Sequence, residues 1–324
     1  MSTITLGETT RVPRRPSLAN PESLGVMLGL IAALIWGGYL SMAKAGVSAG
    51  LAATDIAFIR YGVAGLIMLP WLIRNGILTL GGVGYARGLA LSALVGPLFI
   101  LLGVGGYAFA PLAHGAILQP AALTIGSTIL AMMVFGDRPT PGRIIGIAII
   151  LGGLVAIAGP SLLQANASAM IGDGMFVAAG LMWAMFATLT KRWAVAPIAA
   201  TAIVSVLSAI VYVPGYLVFN GLDRVLAAAP AMLIAQIIVQ GVLSGVVAVI
   251  AFSKTAQLLG PARAAVFPAM VPAVAIILGV PVAGEVPNGL QLAGLALVSI
   301  GLLFALGIVR LPSPLAWATP KAAR

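Results

Sequence analysis

Residues 25–44 read GVMLGLIAALIWGGYLSMAK, and residues 172–191 read GDGMFVAAGLMWAMFATLTK. A bilayer core needs roughly 20 helical residues to cross it, and each stretch meets that length with an apolar run closed by a lysine. Shifted by 147 positions, the two overlay: Gly25 on Gly172, Ala32 on Ala179, Leu34 on Leu181, Trp36 on Trp183, Tyr39 on Phe186, Ser41 on Thr188 and Lys44 on Lys191. Further along, an offset of 148 puts Pro120-Ala121 on Pro268-Ala269, Gly136-Asp137-Arg138-Pro139 on Gly284-Glu285-Val286-Pro287, Gly146 on Gly294 and Gly153 on Gly301. Coincidences of Ala and Leu are cheap in such a chain, but a shared tryptophan and a shared Gly-acid-x-Pro are not. The sequence is a tandem repeat.

The composition names the solvent. Of 324 residues, 61% are hydrophobic and 7% are charged, against roughly 25% charged in soluble domains, and the mean hydropathy is +1.14. There is too little polar surface to cover a globule, so the excess faces lipid. The apolar runs are continuous, without the alternation of a transmembrane barrel, so the expected fold is all-α and polytopic. Ten stretches qualify as spans: 23–44, 52–73, 88–108, 112–135, 142–160, 172–190, 197–219, 230–253, 264–284 and 289–309. The uncharged stretch between Arg87 and Asp137 is divided at Phe109-Ala110-Pro111, where proline favours a hairpin. The resulting division is a tail over 1–21, one repeat over 22–160, a second over 161–309 and a tail over 310–324. Five spans per repeat is an odd number, so the halves enter the membrane with opposite orientation. Such inverted halves suit alternating access around a site near the midplane.

Charge orients the chain. With the N-terminus inside, Arg11, Arg14, Arg15, Arg74, Arg87, Arg138, Arg143, Lys191, Arg192, Lys254, Arg263, Arg310, Lys321 and Arg324 all fall on one side, which the positive-inside rule makes cytoplasmic. Lys44 and Arg224 fall on the other side, and Arg60 lies within a span. The first twenty residues carry no apolar core of a signal peptide, so no cleaved leader is expected. A multi-pass protein of the cell inner membrane with both termini cytoplasmic is the expectation. The basic residues are scattered in ones and twos, which argues against nucleic acid. No cysteine is present and only one histidine, which leaves no Cys-type zinc or iron–sulfur site and little for any metal. No cofactor is expected.

Several strings together resemble the EamA-type exporters of the drug/metabolite transporter superfamily. Ala33-Leu-Ile-Trp36-Gly37 is similar to that family's Ala-x-x-Trp-Gly motif, and Arg60-Tyr61 to its Arg-aromatic pair. Pro272-Ala-Val-Ala-Ile-Ile-Leu-Gly-Val-Pro-Val-Ala-Gly284-Glu285 resembles its proline, apolar run and Gly-Glu, followed by Gly294 and Gly301. In the first repeat Thr124 stands at the proline's place and Asp137 at the glutamate's. The resemblance runs from about Leu24 to Gly307. It implies a basket of ten helices and export of a small metabolite, over a range that includes amino acids, purines and toxic analogues.

Polar and aromatic residues inside the spans are the candidate pathway. Arg60, near the middle of the second span, is expensive in lipid unless paired, hydrated or snorkelling; it is either a docking point for a carboxylate or phosphate, or a helix-locking donor to carbonyls. Trp36 and Trp183 lie away from the interfacial belts and either line a cavity, with Tyr39 and Tyr107 beside them, or simply pack. Gln236, Gln240 and Ser244 recur every four residues, forming one polar stripe that seeks a partner helix or a wet cavity. Gln119 and Thr124 are weaker candidates, and Ser127 or Thr128 can bond back to their own helix. Pro120, Pro268 and Pro272 are candidate hinges. His114, at the outer mouth, is either a proton-exchanging gate or a polar anchor. Asp137 and Glu285 sit at helix ends, where carboxylates meet water or a neighbouring cation. Gly142, Gly146, Gly241 and Gly245 form small-x-x-x-small pairs for close packing; helices 5 and 10 carry the surface for a homodimer, if there is one. Asn166-Ala167-Ser168 is a short sequon and is set aside.

A midplane cavity between spans 1, 3, 4, 6, 8 and 9 is thus the expected site. The alternatives are an integral membrane enzyme, which should carry a cluster of acids or histidines near one interface, and a channel, which should carry a charged ring. Neither pattern is present in the sequence.

Overall fold

The computed structural model describes residues 21–163, 166–259 and 264–309. The basic tails and Arg263 lie outside the described residues. Among the described residues ten long helical segments follow in order: α1 (Pro21–Ser48), α2 (Ala53–Arg74), α3 (Tyr85–Ala108), α4 (Leu112–Phe135), α5 (Pro141–Leu163), α6 (Ala167–Arg192), α7 (Pro197–Phe219), α8 (Pro230–Leu259), α9 (Val266–Ala283) and α10 (Gly289–Ala305), with short helical turns at Ile77–Thr79 and Asp223–Ala227. Eight are long and apolar enough to cross a membrane, and α5 over Pro141–Ala156 and α10 are shorter apolar helices. The outward faces carry bare apolar side chains such as Met133, Val211 and Ile277, each more than two-thirds exposed, as a lipid-facing surface requires. We call the end where α1 begins and α10 finishes the terminal face, and the other the distal face.

The repeat is visible in the packing. Gly29 lies against Phe267 and Gly37 against Val274, so α1 and α9 run parallel. Their counterparts α6 and α4 are also parallel, with Gly172 against Ala110 and Gly126 against Leu181 and Ala184. The counterparts match at single contacts: Gly37 meets Val274 where Ala184 meets Gly126, the small residue having changed sides. Helices α5 and α10 pack antiparallel, Gly146 on the backbone of Gly301 and Ala305, and Gly153 on that of Gly294. Gly146 therefore serves this internal seam, while Gly241 and Gly245 bring α8 against Val63 and Ala64 of α2. Both repeats close their fourth helix alike: Gly136 and Gly284 share φ 68° and ψ 16°, a left-handed cap that glycine adopts without strain, and each turns the acid after it off the helix end.

Two helices depart from plain α geometry. Span 3 is broken between Tyr85–Val95 and Pro97–Gly103 and ends in a 3-10 turn over Gly105–Ala108. Gly96-Pro97 explains the break, because proline supplies no N–H and pushes the residue before it out of the α region; Gly96 sits at φ −84° and ψ −148°. The freed Val95 carbonyl accepts the Tyr61 hydroxyl at 2.7 Å. Replacing Tyr61 with Phe leaves that buried carbonyl unsatisfied, and a loss of about 1–2 kcal/mol is expected, read as a lower melting temperature in detergent. Span 8 runs on to Leu259, and its middle, Ile237–Val247, is a π-helix. Four residues slightly overshoot an α turn of 3.6 and fall short of the wider π turn, so a stripe of period four keeps one face through both.

The expected hinges differ from each other. Helix α4 continues through Pro120, and α9 through Pro272 and Pro281. Pro268 lies in the first turn of α9, where no intrahelical bond exists to be lost. The sequence equivalence of Pro120 and Pro268 is therefore not an equivalence of hinges.

Candidate functional site

The centre of the bundle is built around Arg60 of α2. Its guanidinium donates to the Ser244 hydroxyl at 3.0 Å and lies over the Tyr39 ring, 5.1 Å from the centroid. Among the described residues no carboxylate lies within ion-pair distance of it. The guanidinium is half-buried and also interacts with the Tyr61 hydroxyl, and it keeps donors to spare, because a guanidinium carries five. Ser244 belongs to the polar stripe of α8, whose other members turn to α1. Gln236 donates to the Met42 carbonyl at 2.7 Å and Gln240 to the Tyr39 carbonyl at 3.4 Å, so the stripe faces the backbone of α1. Both glutamines are fully buried and their carbonyl oxygens have no partner.

The other expected pathway residues distribute around this centre. Trp36 packs on Phe252 of α8 with centroids 5.4 Å apart, and Trp183 on Phe99 of α3 at 5.2 Å. In each repeat the tryptophan thus meets the counterpart helix pair, α1 with α8 and α6 with α3. Tyr107 is buried against Phe176 at 4.9 Å with its hydroxyl unpartnered. Gln119 faces Gly103 across α3 and also has an unpartnered oxygen. Thr124 bonds back to the Pro120 carbonyl at 2.9 Å, and Thr128 to Thr124 at 2.8 Å; Thr128 in turn receives Arg143 at 2.9 Å. Pro272 is buried within α9.

The ends of the pathway carry charge that sequence reasoning underused. On the distal face Lys44 meets Glu285 at 3.0 Å and also donates to the carbonyls of Tyr107 at 3.0 Å and Ala110 at 3.4 Å. The second Glu285 oxygen accepts the Leu112 N–H at 2.7 Å. One lysine and one glutamate thereby tie α1 and α9 to the α3–α4 turn, below a vestibule of about 280 Å³ lined by Pro111, Ala113, Ile276 and Gln291 among others. His114, in the first turn of α4 at the distal end, is buried, with Nδ1 2.7 Å from Asp173 Oδ1. Their separation along the chain offers no local signal for that pair. Also distal, fully buried Asp55 gathers the Tyr216 hydroxyl at 2.7 Å, the Ala52 N–H at 2.8 Å and Arg224 at 3.5 Å. On the terminal face Lys191 lies 4.0 Å from Asp137 and over the Phe135 ring at 4.4 Å. Asn166 caps α6 by accepting the Ala169 N–H.

Comparison with known proteins places this arrangement. The pattern of the EamA-like transporter family matches residues 23–159 and again residues 170–307. No curated protein matches the chain. Ten chains of solved structure do; one, described only as a protein crystal structure, superposes with a TM-score of 0.58 over 89% of this chain and 99% of its own, at 17% identity. At that identity the likeness is one of fold.

Proposed function

Because the chain belongs to the EamA-like transporter family, we propose that it is a carrier that exports a small metabolite by alternating access, with the substrate's anionic group docked at Arg60. The observation that carries the docking site is the half-buried guanidinium within α2, with hydroxyls and an aromatic ring for neighbours and, among the described residues, no acid. A cation so placed is costly, and a carboxylate or phosphate that reaches it offsets that cost with charge-assisted hydrogen bonds. Tyr39 supplies aromatic surface beside it, Trp36 and Trp183 supply more on α1 and α6, and Tyr107, Gln119, Gln236 and Gln240 supply buried polar atoms with capacity left over. An amino acid has the matching chemistry: one carboxylate and a variable, often apolar, remainder. The bilayer is taken to be the cell inner membrane, with both termini cytoplasmic.

The experiment is counterflow in proteoliposomes against labelled amino acids, nucleobases and aromatic amines, with and without a pH gradient. Saturable exchange of amino acids, with amines inert, is the expected result. Exchange of amines or uncharged nucleobases instead would remove the anion from the reading. A flux that does not saturate and shows no counterflow would make the protein a channel.

A further inference from the structure

We propose that Lys44–Glu285 and Lys191–Asp137 are two copies of one ionic lock, placed by the inverted repeat at opposite ends of the pathway and closed in alternation. The inference rests on the alternating-access reading and names the residues that would enforce it. Lys44 and Lys191 are counterparts at an offset of 147, and Asp137 and Glu285 at 148. Each acid follows a glycine cap of identical φ and ψ, so the two carboxylates leave their helices in the same way. Each lysine sits near the end of the helix packed parallel to the one the acid terminates. Five helices per repeat put one pair on the distal face and the other on the terminal face.

The two copies are in different states. Lys44 is 13% exposed and Glu285 30%, their contact is 3.0 Å, and three further hydrogen bonds from the same two side chains hold the α3–α4 turn. Lys191 and Asp137 are 67% and 53% exposed and only 4.0 Å apart. The hydroxyls one turn earlier differ in the same sense. Ser41 crosses from α1 to the Ala275 carbonyl of α9 at 2.8 Å, while its counterpart Thr188 bonds only within α6, to Ala184. The distal lock is engaged and the terminal lock is slack. Exchanging the conformations of the two repeats exchanges these states: Glu285 gives up the Leu112 N–H and Lys44, and Lys191 closes on Asp137. Because separating a pair sealed from water leaves both charges buried and unpaired, each lock, once closed, resists opening, and the cycle disfavours both ends open at once.

The sequence provides a clean way to test this. It contains no cysteine, and the counterpart alanines Ala116 and Ala264, at an offset of 148, are 0% and 1% exposed. Ala116 lies one turn beyond Leu112 in α4. Reporters Ala116→Cys and Ala264→Cys are placed singly in the full chain, reconstituted in vesicles and exposed to a membrane-impermeant maleimide; no substrate is needed. Glu285→Gln is expected to raise labelling at 116 by roughly three- to tenfold while leaving 264, already buried, no more reactive than in the parent. Asp137→Asn, at an exposed site that does not endanger folding, is expected to do the reverse. Combining Lys44→Glu with Glu285→Lys should return labelling at 116 toward the parent. The locks are refuted if either neutralisation moves both reporters together, as general loosening would, or moves neither. Were counterflow intact in that case, the carrier reading would stand without the locks.

Discussion

Arg60→Gln is expected to abolish exchange while leaving the protein as stable as its parent or more so. The two readings of this arginine predict opposite outcomes for stability. If it locked helices together, its loss would expose unsatisfied groups and lower the melting temperature. The structure gives it the hydroxyls of Ser244 and Tyr61 and one ring face, Tyr39; none of these is charged, and removing a half-buried cation that has no acid partner among the described residues relieves a desolvation penalty that offsets their loss. For transport the balance reverses. A carboxylate docked on a guanidinium without competing water is a charge-assisted, commonly bidentate contact, and its loss at about 2.7 kcal/mol corresponds to a hundredfold weaker affinity. Arg60→Lys should recover only part of this, since an ammonium keeps the charge without the planar fork. The pair of measurements is exchange per folded molecule and thermal melting. A fall in melting temperature of several degrees with normal exchange would return Arg60 to a structural role and take the anion out of the proposed substrate.

What the sequence made legible follows a simple physical line. Helices that must satisfy every backbone group in lipid announce themselves as apolar runs, so ten spans were readable. The repeat was readable because tryptophan and Gly-acid-x-Pro seldom coincide. Features that depend on how neighbours share space were not. The break in α3 rests on Gly96-Pro97, which hydropathy averages over. The π segment of α8 leaves the period-four stripe looking the same as an α-helix would. That stripe, read as seeking either a partner helix or a cavity, turns its amides to carbonyls of α1 and leaves their oxygens bare; spacing shows which residues share a face but not what the face meets. Lys44 and Glu285 are the instructive pair. Both were placed on one side by topology, and both had counterparts of like charge in the other repeat, so two cation–acid pairs at equivalent positions could have been proposed from the alignment of the halves alone. Treating each charge as a separate interfacial residue hid the pairing.

The seam between α5 and α10 behaves differently from the rest of the repeat, and one substitution made twice on one helix should show it. Gly146 packs on the backbone of Gly301 and Ala305, whereas nothing lies within 4 Å of the position a Cβ would take at Gly152. Gly146→Ala therefore pushes two backbones apart, with no flexible side chain to yield, and a loss of about 3 kcal/mol, the upper end for overpacking, is expected. Gly152→Ala gains helix propensity worth up to about 1 kcal/mol in open space. Thermal melting of the two purified variants checks the prediction; equal shifts would mean that the seam is looser than its geometry. The seam matters because it maps onto itself. Under the repeat, Gly146 becomes Gly294 and Gly301 becomes Gly153, so the contact of Gly146 with Gly301 becomes that of Gly294 with Gly153, which is also made. A contact set that survives exchange of the halves has no need to change between the two states. By contrast, the α1–α9 and α4–α6 pairs exchange places and carry unequal locks. Damage at Gly146 should thus appear as lost folded protein with unaltered exchange per folded molecule, and damage at Glu285 as altered exposure of the two ends with the fold retained.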